Sequence, residues 1–366
     1  MTTTILSPDA ANAARAVTGD AKPARIDDDM VMIRAAAELT RDLNAPSKVI
    51  YWTDFLGSAL VGYAALALAI WTSSAAVLVG AVIVAVLALY RAALFIHEVT
   101  HVRLAALPGF WTAWNAVVGV PLLVPSFMYE GLHNQHHQRT RYGTADDPEY
   151  LPLALMKWWS VPAFVAVSAL GPIGLLLRYG VLGPLSAIIP PLRTLVWERY
   201  SGLVINPAYR RRPPEDAVRG KWLALEVAAS LWAMAVIAGV ATGLIPLKAF
   251  VLVMSVLSAI LVLNQIRTLV AHLWENDGET LTVTAQFLDS VNVPPPAMLP
   301  ALWAPVGLRY HALHHLLPGL PYHALGEAHR RIMAQLGEKS TYARGNYPSL
   351  PGLLVRLVSD AGKPVG

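Results

Sequence analysis

The sequence contains no cysteine. Disulfides, thiolate metal sites, iron–sulfur ligation and cysteine nucleophiles are excluded, so metal or redox chemistry must rest on histidine and carboxylate. Charge is scarce too. Asp, Glu, Lys and Arg make up 14% of the 366 residues and hydrophobic residues 55%; an ordinary soluble domain is about 25% charged. Mean hydropathy is +0.47. Much of the surface is therefore expected to face lipid. Residues 1–48 are polar and lack the apolar core of a signal peptide. The first apolar run thus reads as a membrane span, with the tail before it cytoplasmic. The net charge of +4 resides in loops between apolar runs, which speaks for membrane topology rather than nucleic-acid binding.

Four stretches, 50–71, 75–96, 222–244 and 249–269, carry long apolar runs. About 20 residues of helix cross about 30 Å of hydrocarbon. The links within each pair are short and nearly uncharged: Thr72-Ser73-Ser74, and Ile245 to Lys248. The opposite side receives Lys22, Arg25, Arg34, Arg103, Arg139, Arg141 and Arg210-Arg211-Arg212. The positive-inside rule places that side, and both termini, in the cytoplasm. The expected fold is an all-α integral membrane protein. It has two transmembrane helical hairpins, about four spans, under a cytoplasmic histidine-rich cap with interfacial helices. Residues 114–128 are too short to cross twice and contain Pro121 and Pro125, so they read as interfacial or re-entrant. Residues 151–192 hold six prolines, among them Pro162, Pro172, Pro184, Pro190 and Pro191, and Arg178; they read as two interfacial helices, with a third hairpin as the alternative. Residues 324–336 have the pattern of an amphipathic helix.

Of 11 histidines, nine fall into four groups. These are His97 and His101 in His-Glu-Val-Thr-His; His133, His136 and His137 in His-Asn-Gln-His-His; His272 alone; and His311, His314 and His315 in His-Ala-Leu-His-His. An i, i+4 pair lies on one helix face, and His-x-x-His-His brings three imidazoles around about one turn. His97 follows the second span and His272 the fourth, so all nine are expected on the cytoplasmic face. Neutral imidazole suits iron, zinc and copper. Nine ligands are too many for one first-row ion and about right for two. His323 and His329 lack the spacing and read as structural, His329 on a surface helix. Two rivals remain at this point. His97-Glu98-Val99-Thr100-His101 also fits the His-Glu-x-x-His zinc protease motif, with Glu98 as base, but that leaves the other boxes without a role. A metal transporter would place its ligands within the spans.

Three histidine boxes in this order, with the extra His272, resemble the membrane fatty acid desaturase and hydroxylase superfamily over roughly residues 50–335. The resemblance divides the chain into a tail (1–48), a desaturase-like membrane domain (49–338) and a C-terminal tail (339–366). It implies two Fe(II) ions held by the nine histidines, O2 as co-substrate, and a fatty acyl chain of a lipid or thioester as substrate. Loss of two hydrogens would give a double bond. Oxygen insertion, as in lipid or carotenoid hydroxylases and ketolases of the superfamily, is the alternative. With no His-Pro-Gly-Gly haem motif, electrons would come from a separate ferredoxin- or cytochrome-b5-like donor and its reductase. Arg139, Arg141 and Arg210–Arg212 suit an acidic donor, and topology accounts for them equally. Carboxylates near the boxes are candidates to orient imidazoles through the second ring nitrogen: Glu98 and Asp147 foremost, then Glu130, Asp146, Glu149, Glu275 and Asp277. One departure stands out. Where some acyl desaturases place a metal-assisting Asn one turn before the isolated His, this chain has Thr268. Asn264 lies a turn further back.

Overall fold

The computed structural model describes residues 26–103, 105–297 and 299–361. Lys22, Arg25 and the rest of 1–25, and 362–366 of the C-terminal tail, lie outside the described residues. Among the described residues the protein is helical, and its β-pairing is limited to isolated bridges.

Met30–Leu39 (α1) starts at Asp29, whose carboxylate accepts the backbone N–H groups of Val31 and Met32 at 3.1 and 3.0 Å. Lys48–Trp71 (α2) and Ala75–His101 (α3) form the first hairpin. Both are apolar around their circumference and free of interior proline. Ser47 and Ser74 cap them, each hydroxyl taking an N–H of the first turn at 3.4 Å. Gly62 lets α2 approach α3 closely, since a Cβ there would lie 2.6 Å from Leu89. α3 continues to His101, so His97 and His101 ride on the same helix as the second apolar run.

Among the described residues five helices, not four, are long and apolar enough to cross a membrane: α2, α3, Gly171–Ile188 (α5), Asp216–Ala241 (α6) and Leu247–Leu269 (α7). The short Leu132–His136 (α4) precedes α5 in the chain. The additional helix lies within the stretch read as interfacial, and the physical reasons are specific. Pro172 sits in the first turn of α5, where no intrahelical N–H is lost. Arg178–Leu182 forms a π-turn just before Pro184, which widens the helix where the ring would clash. Arg178 is not a bare charge in an apolar run. It pairs at 2.6 Å with Glu226 of α6, which also holds Arg193 at 2.6 Å. Residues 114–128 form no span. Phe110–Trp114 runs into a π-turn, Asn115–Gly119, and the chain folds back through Pro121 and Pro125. The Asn115 side chain pins the fold by bonding the Ser126 backbone N–H and hydroxyl, each at 2.8 Å.

Pro300–Trp303 (α8), His311–Leu316 (α9) and Leu325–Leu336 (α10) complete the elements around the histidines. α10 is amphipathic as expected. Its Leu325, Ala328 and Ile332 pack in one cluster with Met32 and Ala36 of α1 and Leu313 of α9. His329, expected at the surface, is instead buried, its Nδ1 3.0 Å from the Tyr342 hydroxyl. His323 receives the Ser47 backbone N–H at 3.0 Å. Both are structural, outside the histidine groups described next.

Candidate metal centre

The nine box histidines converge and divide into two groups. His97, His101, His133, His137 and His314 form one; His136, His272, His311 and His315 form the other. Within each group one nitrogen per ring lies within 4.8 Å of all the others. The groups adjoin, with the His137 and His315 ring centroids 4.3 Å apart.

Four segments place the nine rings. α3 carries His97 and His101 four residues apart on one face. α4 carries His133 and His136, with His137 at its C-cap. α9 begins at His311 and supplies His314 and His315. His272 lies just past α7, in a segment held from both sides: Leu273 N–H donates to Asp289 O at 2.7 Å and Val291 N–H to Ala271 O at 2.9 Å. The Trp274 indole N–H closes the end of α7 by donating to Leu269 O at 2.8 Å. Trp274 adopts φ +62, a left-handed conformation unfavourable for a bulky residue.

Inside the groups the Nε2 atoms face one another. His133 and His137 are 3.0 Å apart, His137 and His314 3.0 Å, His136 and His272 3.3 Å, His272 and His311 3.0 Å, and His311 and His315 3.1 Å. Two imidazoles at right angles, each about 2.1 Å from one ion, stand about 3.0 Å apart. The buried Nε2 atoms of His97 and His101 have no hydrogen-bond partner.

The outer nitrogens show which way the lone pairs point. His136 Nδ1 lies 2.9 Å from Asp147, a fully buried carboxylate that also takes the N–H groups of Gly143 and Glu149 at 2.8 Å. His133 Nδ1 lies 3.1 Å from Glu149 and 2.8 Å from the Tyr129 hydroxyl. His272 Nδ1 lies 2.8 Å from the Tyr142 oxygen, whose proton goes to Asp289 at 2.6 Å. With Nδ1–H donated outward, Nε2 presents its lone pair inward. His97 Nδ1 lies 3.3 Å from Glu98.

Electrostatics agrees. Burial, with repulsion between neighbouring imidazoles, holds His133, His137, His272, His311, His314 and His315 well below the ordinary histidine pKa; the Arg267 guanidinium adds to this at His272 and His311. They are neutral at pH 7, the form that binds metal. Burial opposes protonation of His136, but Asp147 turns the balance and raises it. Burial also pushes Glu149 up to about 7 and Asp289 up to about 6. Cations inside the histidine groups would favour the ionised form of both. The donor set fits two imidazole-loving first-row ions.

Of the carboxylates singled out in the sequence, Glu98 and Asp147 both touch a box histidine. Glu98 also accepts the Tyr51 hydroxyl and, at 3.2 Å, the Tyr322 N–H. That ties it to the outer side of His97 and leaves no free base facing the lone pairs, against the zinc-protease reading. Glu149, at 3.1 Å from His133 Nδ1, lies closer to its ring than Glu98 does and slightly farther than Asp147. Glu130 binds the indoles of Trp111 and Trp222, and Glu275 pairs with Arg356 at the surface. Asp146 is exposed. Thr268 donates to Asn264 O at 2.9 Å and Asn276 to Gly143 O at 3.1 Å. Tyr129, Tyr142, Asp289 and Ser290, whose hydroxyl lies 3.2 Å from His272 Nδ1, were not anticipated. Tyr129 lies one turn before His133 and was readable from spacing, whereas Tyr142, Asp289 and Ser290 come together with His272 only on folding.

A cavity of about 980 Å³ reaches His101 and is bordered by Arg103, Arg141 and Arg210–Arg212.

Comparison with known proteins identifies the lineage. The fatty acid desaturase family matches residues 72–346. A ceramide hydroxylase of Caulobacter vibrioides is 48% identical over 324 residues, covering 88% of this chain and 92% of that protein. No solved structure matches. The chain belongs to the fatty acid desaturase family and is an oxidoreductase of that histidine-box superfamily.

Proposed function

We propose that this protein hydroxylates a saturated carbon of a ceramide-like lipid, at a di-iron centre held by His97, His101, His133, His136, His137, His272, His311, His314 and His315 on the cytoplasmic face of the membrane. The observation that carries the chemistry is the division of nine inward-facing imidazoles into two adjoining groups. The likeness to a ceramide hydroxylase over nearly the whole of both chains favours the hydroxyl outcome over the double bond expected first from the boxes.

The reaction balances as a methylene, O2, two electrons and two protons giving a secondary alcohol and water. One C–H and the O–O bond break; one C–O bond forms. Two irons, when bound, supply the dioxygen chemistry. The protein supplies the rest. Asp147, Glu149, Tyr142 and Glu98 hold His136, His133, His272 and His97 in the ligating orientation. Tyr51, Phe55, Phe95 and Phe110 pack edge to face beside α3 and keep water from that side. The basic cavity at His101 offers an acidic one-electron donor, ferredoxin- or cytochrome-like, a complementary surface.

The test is turnover in lipid nanodiscs with a ferredoxin, its reductase and a saturated ceramide under isotopically labelled dioxygen. Mass spectrometry should find one labelled oxygen retained in the lipid. Loss of two hydrogens without oxygen gain, or an unchanged ceramide with iron-loaded protein, would refute the proposal.

A further inference from the structure

The cavity at His101 is a container as well as a basic surface. Its volume of about 980 Å³ is that of pockets that enclose a small molecule or a head group. A folded donor protein can meet its rim but does not fill it. Five arginines and three carboxylates line it, an excess of two positive charges. Arg103 comes from just past α3, Arg141 from after α4, and Arg210, Arg211 and Arg212 from before α6. None of the five has an ion pair among the described residues. Of the carboxylates, Glu130 turns its two oxygens to the indoles of Trp111 and Trp222, at 2.6 and 3.3 Å. Asp146 and Glu215 are exposed.

The arginines differ in what holds them. Arg211 is buried and fixes the wall. It donates to Ser201 O and, at 2.8 Å, to Glu130 O, with its guanidinium 4.4 Å from the Trp222 ring centroid. Arg210 turns back onto the carbonyl oxygens of Pro207 and Tyr209, each at 2.7 Å. Arg141 gives one N–H to Gln135 Oε1 at 2.5 Å, which also accepts the Tyr209 hydroxyl at 3.0 Å. Gln135 stands between His133 and His136, so the arginine wall is tied to the helix that carries them. The side chains of Arg103 and Arg212 are exposed and have no hydrogen bond or ion pair among the described residues. Two free guanidinium forks and the remaining donors of Arg141 thus border one cavity, a set that suits phosphate oxygens. A phosphate monoester carries about −1.5 to −2 charge, which matches the excess.

The cavity also has an apolar end. Val99 and Val102 at the end of α3, and Val218 and Trp222 at the start of α6, line it together with Trp111. Both helices are long and apolar enough to cross a membrane. The cavity therefore lies where two of these helices leave the hydrocarbon, the level at which tryptophans gather and lipid head groups sit. His101 of the five-histidine group forms part of the lining. An amphiphile with its anion among the arginines can keep its chains in the membrane beside the histidines.

We propose that this cavity seats the phosphate-bearing head of the lipid substrate, gripped by Arg103, Arg141 and Arg212, and that a ceramide phosphorylated on its primary hydroxyl is preferred to the free ceramide. This rests on the reading of the substrate as ceramide-like and narrows it. Free ceramide makes no use of the arginines and is the poorer substrate.

The experiment measures equilibrium binding of ceramide, ceramide 1-phosphate and phosphatidic acid to the protein in phosphatidylcholine nanodiscs. It compares wild type, Arg103→Gln, Arg212→Gln, the double variant and Arg219→Gln. Arg219 is the control: it lies on α6 near the same rim, pairs with Asp216 at 3.2 Å and does not line the cavity. Wild type should bind ceramide 1-phosphate about ten- to a hundredfold more tightly than ceramide. Each single variant at Arg103 or Arg212 should lose part of that preference, and the double variant should bind the two lipids alike. Rising salt should shrink the preference. Ceramide affinity, iron content and melting temperature should not change. In a mixture under labelled dioxygen the phosphorylated ceramide should be hydroxylated first, an order the double variant should lose. Equal binding of the two ceramides by wild type, or a preference that survives in the double variant, would overturn the seat. So would an equal loss in Arg219→Gln, which would mean diffuse charge. Phosphatidic acid binding as tightly as ceramide 1-phosphate would overturn the assignment to the substrate and make the occupant a membrane phospholipid. Displacement of the lipid by inorganic phosphate at equal concentration would make it a free anion. Arginine-dependent binding with no labelled oxygen in either ceramide would leave the seat standing and sink the hydroxylation proposed above; labelled product with no head preference would do the reverse.

Discussion

Asp147→Asn is the sharpest single test of how the site is oriented. The carboxylate has no exposed surface and meets three donors. One oxygen takes His136 Nδ1–H at 2.9 Å and Gly143 N–H at 2.8 Å; the other takes Glu149 N–H at 2.8 Å. An asparagine has one carbonyl oxygen and one NH2. In either orientation the NH2 faces a backbone N–H, leaving a buried donor unmet at about 1–3 kcal/mol. With the NH2 on the Gly143 side, His136 must also accept through Nδ1. Its Nε2 then carries the proton and can no longer bind metal. Losing such an orienting partner weakens a metal site about 10- to 100-fold, or about 1.4–2.8 kcal/mol. The assay pairs iron titration of the apo-protein with thermal unfolding in detergent. The variant should melt earlier and bind one ion more weakly while the other is little changed. Wild-type affinity at both positions would refute the claim that Asp147 orients His136.

Three further outcomes are expected. Alanine at His97, His136, His272 or His314 should each lose iron and lower turnover by at least about 100-fold, whereas His329→Gln should retain iron, as elemental analysis with a turnover assay would show. His329 should make stability pH-dependent: burial, then Arg309, lowers its pKa from 6.5 to about 4, so its contribution is whole above pH 6.5 and is lost as pH falls toward 4. The slope is about 1.4 kcal/mol per pH unit, and a difference between wild-type and His329→Gln melting curves across that window measures it. Glu226→Leu leaves Arg178 and Arg193 without their shared anion and should cost about 3–5 kcal/mol, read as a lower temperature of half-inactivation and a poorer yield of folded protein.

The first hairpin and the convergence of the nine histidines were legible because each signal is local: two long apolar runs joined by a short uncharged link, and imidazoles at helical spacing. The histidine boxes also carried the family, which the match over residues 72–346 establishes. The fifth apolar helix was not legible. Prolines and an arginine normally argue against a span, and only the π-turn before Pro184 and the partner Glu226, distant in sequence, remove both objections. The outer partners of the rings were half legible. Asp147 is close in sequence to His136, whereas Asp289 reaches His272 through Tyr142 and could be found only after folding. His329 was read as structural on a surface helix; it is indeed outside the histidine groups, and its ring turns inward to Tyr342. The choice between hydroxyl and double bond was not in the boxes at all, since both outcomes begin with the same C–H bond and the same ligands.

The central claim is two metals in one all-imidazole centre. The most direct measurement is the metal content of protein purified in detergent from iron-supplemented cells at native expression level. About two irons per chain with little zinc is the expected result. One zinc per chain and no iron would contradict it.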